Sequence, residues 1–127
     1  MTKDEILNHC KSIINTENSH IEAHARNIIG RSYYYTYHSL VENVEARLNW
    51  QETISNGGVH VKMISRLKDK NIPSSDKVKA LRLFTEINRF KKMRTKADYR
   101  LEQSIKFIEA EYWLKRAEDI GLALDQL

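Results

Sequence analysis

The chain is poor in the residues that interrupt or staple a backbone. Its 127 residues include one cysteine, one proline and four glycines. A lone Cys10 excludes a disulfide framework within the chain and any cysteine-based zinc cluster, and it points to a reducing cytoplasm. With so few breakers the chain is expected to be mostly helical. No apolar run approaches the ~20 residues of a membrane-spanning helix. The opening stretch, MTKDEILNHC, carries acid and amide groups where a secretory leader would need an apolar run. The expectation is therefore a soluble, cytoplasmic protein without a membrane partner.

What is present balances those absences. Hydrophobic residues make up 41% and charged residues 30%, a composition suited to one packed domain over residues 1–127 and not to disorder. The net charge of +4 is unevenly spread. Residues 88–100, NRFKKMRTKADYR, hold six basic side chains and one acid, and the remainder is close to neutral. Such a block either attracts a phosphate backbone or forms a solvated helix face.

Apolar periodicity predicts a first helix over residues 3–15 and a long second one over 19–51, with Ser19 or Asn18 as its cap. SNGGVH reads as a turn before a short helix from Val59 to Leu67. Pro73 and a Ser75 cap introduce a fourth helix near Asp76. Helical spacing then continues from Lys77 to Asp119, too long for one helix in so small a domain. A bend or break is expected near Arg94–Tyr99, and Gly121 is read as the terminal stop. The fold class is all-α, a four- to five-helix up-and-down bundle.

Two polar seams interrupt the apolar stripes. On the second helix His24, Arg31, His38 and Glu45 recur every seven residues, bordered by Tyr34 and Tyr35. At 1.5 Å per residue, neighbours on this seam stand about 10 Å apart. On the later helical region, Leu83, Ile87, Phe90, Ala97, Leu101, Ile105, Ile108 and Tyr112 form a stripe with Arg94 and Asp98 in its middle. Arg89, Lys92, Lys96 and Arg100 project from the other side. Arg94 and Asp98 either pair with each other, as i,i+4 ions do, or line a polar pocket facing Arg31 and His38. His20 and His24 have chelating spacing, but no third ligand is evident, so no metal and no cofactor are expected.

With RSYYYTYHSL, GGVHVKMISRL, RTKADYRLEQSI and a closing WLKRAEDIGLAL in this order, the chain from about residue 20 onward resembles the HEPN superfamily, named for higher-eukaryote and prokaryote nucleotide-binding members. The resemblance implies a HEPN-like bundle, usually dimeric. Many members are metal-independent ribonucleases of toxin–antitoxin, phage-defence or CRISPR-associated systems, using an Arg-x4-6-His motif. Arg31 and His38 fit the outer limit of that spacing. Active branches often carry the motif on a late helix, where this chain has Arg94, Asp98 and Tyr99. Either this branch takes its histidine from the second helix, or it keeps the scaffold without nuclease chemistry.

The chemistry needs a proton-transfer group near neutral pH and a cation for the phosphorane. Histidine suits the first, with an ordinary pKa of about 6.5, and the guanidinium fork suits the second. The expected catalytic set is Arg31, His38, Arg94, Asp98 and Tyr99. Arg31 and Arg94 would clamp phosphate, His38 would act as acid or base, and Asp98 would orient an arginine. Tyr35 with Arg89, Lys92, Lys96 and Arg100 is the expected RNA-binding set. His60, after the Gly-Gly turn, is read as capping or packing. The expected partners are RNA, a second copy of the chain, and an antitoxin or regulatory protein. The alternative is a non-catalytic module that binds a nucleotide, a nucleic acid or a protein.

Overall fold

The computed structural model describes residues 1–17 and 19–127. Five α-helices account for most of the chain, and no strand occurs among the described residues: α1 Lys3–Ile13, α2 Ile21–Leu40, α3 Val59–Ser65, α4 Ser74–Tyr99 and α5 Phe107–Asp125. A π-helical turn, Val41–Arg47, prolongs α2, and a 3-10 turn, Arg66–Lys68, prolongs α3. The all-α bundle is therefore as expected. No helix among the described residues is long and apolar enough to cross a membrane.

Some helix ends have a local cause. Thr2 starts α1 by accepting the Glu5 N–H at 3.3 Å, while the Glu5 carboxylate accepts the Thr2 N–H at 2.8 Å. The second helix begins after His20 without a side-chain cap, so Ser19 does not cap it, and Asn18 lies outside the described residues. The π-helical extension ends before residue 51 because Asn49 takes a left-handed conformation, φ 53°, which asparagine tolerates. Pro73 itself precedes α4, and its carbonyl accepts the Asp76 N–H at 2.8 Å, so Ser75 is not the cap.

The central α2 packs against α1, α4 and α5. His24 near its start meets the end of α1 and the start of α5, and Arg47 beyond its end meets the end of α5. Thus α1 and α4 run against α2 and α5 runs with it, which gives the four long helices an up-and-down order. The core fills between them with Ile28, Ile29, Tyr33 and Leu40 of α2, Ile87 and Phe90 of α4, and Ile120 and Leu124 of α5. Burial of such side chains contributes about 1.5–3 kcal/mol each before conformational entropy is charged against it.

The break expected near Arg94–Tyr99 falls at the end of that stretch, after Tyr99, where an arginine from α2 meets the end of α4. The half-buried Arg26 donates to the Lys96 and Ala97 carbonyls at 3.0 Å, and its second nitrogen reaches the carbonyl of Gln103. The guanidinium thus closes the last turn of α4, where the Lys96 carbonyl also accepts the Arg100 N–H at 3.1 Å. Glu22 completes the corner, holding Arg26 at 2.9 Å and accepting the Ile105 N–H at 3.1 Å. The stripe therefore loses its register, and Leu101, Ile108 and Tyr112 are exposed.

Gly121 does not end the last helix, which runs on to Asp125. It is buried against α2, and a Cβ there would collide with the Tyr35 hydroxyl. The glycine makes room for a tyrosine. Arg47 caps the true end, donating to the Leu124 carbonyl at 3.1 Å and the Leu127 carbonyl at 2.7 Å.

Candidate functional site

The most organised polar cluster lies where α2, α3 and α4 meet. Tyr33 of α2 is 1% exposed, so its hydroxyl must find a partner inside the protein. It lies 2.8 Å from Nδ1 of His60, on the first turn of α3. The His60 ring is half-buried and stacks on Tyr37 with centroids 4.0 Å apart and planes 12° apart. Tyr37 meets His38 edge-on at 5.9 Å, and Tyr34 stacks on the other side of His38 at 6.1 Å. An aromatic ladder thus leads from an exposed imidazole to a half-buried one.

Arg94 closes the ladder from α4. Its guanidinium carbon is 5.8 Å from the centre of the Tyr33 ring and 5.7 Å from that of Tyr99. Nε stands 2.9 Å from an Asp98 carboxylate oxygen, but its N–H does not point along that line. The contact is an ion pair without an aligned hydrogen bond. Asp98 in turn lies against α2 where Gly30 leaves space, its oxygen 3.2 Å from the position a Cβ would take.

The surroundings set the protonation of the cluster. Burial lowers the His60 pKa from its ordinary 6.5, and the nearby charges of Arg94, Lys91 and His38 lower it further. Burial raises the Tyr33 hydroxyl well above its ordinary value, with Arg94 opposing. Tyr37 is raised by burial and by the Glu45 carboxylate. Near neutral pH the ladder holds a neutral imidazole between two protonated phenols.

Beside it, a groove of about 470 Å³ opens between α2 and α3, lined by Tyr37, His38, Val41, Glu45, Lys62 and Arg66 among others. The π-helical turn shapes its rim. Glu45, on that turn, lines the groove together with His38, and its carboxylate acts on Tyr37.

The expected site residues are distributed as follows. Arg31 and His38 are both exposed, on the outward side of α2. His38 stands with the ladder, whereas the charge of Arg31 is felt at the Cys10 thiol, on the α1 side. Arg94, Asp98 and Tyr99 come together, and Tyr99 is exposed. His24 leaves the seam for the interior, where Nε2 is 3.1 Å from the Ile13 carbonyl and the ring stacks near Phe107.

Of the expected RNA-binding residues, Arg89, Lys92 and Arg100 are exposed and Lys96 is half-buried. Tyr35 is the exception: it sits in the core over Gly121, with the Lys3 ammonium 5.3 Å from its ring, and offers no stacking surface. The residues that sequence reasoning underweighted are His60 and Lys91. Nothing local connects His60 with a tyrosine 27 positions earlier, and only the packing of α3 across α2 joins them. Among the described residues no group of three His, Cys, Asp or Glu side chains is arranged to hold a metal ion.

No family model, curated protein or solved structure matches the chain.

Proposed function

We propose that the protein is a metal-independent endoribonuclease with a HEPN-like bundle, a toxin or phage-defence effector that cleaves RNA in the cytoplasm by attack of the 2′-hydroxyl on the adjacent phosphate. The observation that carries the reading is the run of ring contacts that leads from an exposed imidazole, His38, through Tyr37, His60 and Tyr33 to the Arg94 guanidinium. His38 moves the proton, Arg94 stabilises the phosphorane, and Asp98 orients Arg94. The exposed Tyr99 ring beside Arg94 stacks a base, and Arg89, Lys92, Lys96 and Arg100 attract the backbone. A second copy of the chain and an antitoxin or regulatory protein are the proposed protein partners, and the exposed Arg31 supplies a further phosphate contact.

A second reading is favoured by one observation. Asp98 already neutralises much of the Arg94 charge, which weakens it as a clamp and suits a non-catalytic module for a nucleotide, nucleic acid or protein. The deciding experiment is cleavage of a mixed RNA pool with EDTA present, by wild type, His38→Ala and Arg94→Ala. The enzyme predicts cleavage by wild type and a loss of about 10²–10⁴-fold in His38→Ala. Equal, negligible cleavage by all three leaves the module.

A further inference from the structure

A phenylalanine at position 60 would stack on Tyr37 as well as histidine does, so packing alone does not account for this ring. The imidazole adds two nitrogens, and the fold uses one. The Tyr33 hydroxyl is shut away from water and has a proton to donate, and Nδ1 of His60 at 2.8 Å is its acceptor. If Nδ1 carried the ring proton instead, two hydrogens would compete for one contact and the phenol proton would be buried unpaired. The ring proton therefore belongs on Nε2, and Tyr33 fixes the tautomer.

The groups around the ring are suited to an anion. Arg94 and Lys91 face it from α4 and His38 from α2; the rings in contact with it, Tyr33 and Tyr37, are uncharged phenols, and the Asp98 and Glu45 carboxylates lie one step further out, beside Arg94 and Tyr37. A second cation in their midst would be repelled. A neutral N–H donor adds to binding an anion without that repulsion.

We propose that His60 is a substrate-binding residue whose Nε2–H donates to a non-bridging oxygen of the phosphodiester held by Arg94, with Tyr33 as the positioning residue behind it. The inference rests on the ribonuclease reading and adds a donor to it. Proton transfer stays with His38.

Two amide replacements separate this role from packing. Glutamine carries an amide nitrogen near the place of Nε2, whereas asparagine carries an amide oxygen near the place of Nδ1 and keeps the Tyr33 partner. In RNA cleavage with EDTA, His60→Gln is expected to retain most of the wild-type rate. His60→Ala and His60→Asn are expected to lose about 10²-fold in kcat, the usual loss when one oxyanion donor is removed. Thermal melts of each variant identify any that fail to fold. Nitrogen-15 spectra of the wild-type ring, expected to show the Nε2–H tautomer, test the geometry without any variant.

Cleavage restored by asparagine but not by glutamine, full activity in all three variants, or a ring protonated at Nδ1 overturns the proposal while leaving the ribonuclease reading intact. Absence of cleavage by wild type removes that reading, and the donor role with it.

Discussion

Tyr33 shows how much one hydroxyl can organise. Its ring packs edge-on to Phe90 in the core, its face carries Arg94, and its oxygen holds His60. Tyr33→Phe keeps the packing and removes only the hydrogen bond, so it is expected to cost about 1 kcal/mol of stability, read from urea denaturation at pH 7. The same change frees His60 Nδ1, and ring nitrogen spectra are expected to show a mixture of tautomers where wild type shows one. His38 differs in kind: it is exposed and framed by Tyr34 and Tyr37, so its replacement is expected to alter chemistry and not folding.

Helix ends in this bundle are set by neighbours as much as by their own residues. Arg26 and Arg47, near opposite ends of the central helix, each close the C-terminus of another helix with a guanidinium fork. Arg26→Met keeps the aliphatic stem and removes the donors from the corner between α4 and α5. It is expected to destabilise by about 2–3 kcal/mol, as the loss of charged hydrogen bonds from a sheltered site does. Faster amide exchange confined to residues 96–105 would identify the cause. Gly121→Ala is expected to cost about 1–3 kcal/mol by overpacking against Tyr35. Pairing it with Tyr35→Phe, which removes the clashing oxygen, is expected to recover part of that stability in thermal melts. The interruption near Tyr99 was legible in the sequence from a length too great for one helix; what holds it there, Arg26, lies about seventy residues away in the chain.

For the whole protein, stability depends on pH through groups that fold into unequal surroundings. Folding lowers the His60 pKa, so the unfolded chain binds the extra proton more readily. Stability is then full above pH 6.5 and falls as the pH drops from there through the lowered folded value. Glu22, held by Arg26 and the Ile105 N–H, and Asp69, held by the Gln51 and Asn71 N–H groups, are also lowered. They add a second decline below about pH 4.5, the ordinary carboxylate range. Urea denaturation at pH 8, 6, 5 and 4 is expected to show both steps, with His60→Gln removing the first. RNA affinity, in the proposed function, falls with salt. Replacing either Arg89 or Lys92 with glutamine is expected to lower the logarithmic slope by about 0.7 for each single-strand phosphate that is no longer neutralised.

Composition and spacing were enough to establish an all-helical chain, the approximate helices, and the two-turn spacing of Arg31 and His38 on one helix. Those properties follow from local propensity and the 3.6-residue repeat, which act over a few turns. The rest depended on contacts between distant residues. Gly121 reads as a stop until Tyr35 is seen against it, and His60 reads as a cap or a packing residue until Tyr33 and Tyr37 show which. Glu45 reads as one more seam residue until the groove between α2 and α3 places it beside Tyr37. A glycine, a histidine or a carboxylate is the same residue in a turn, a core or a site, and only its neighbours in space distinguish the three.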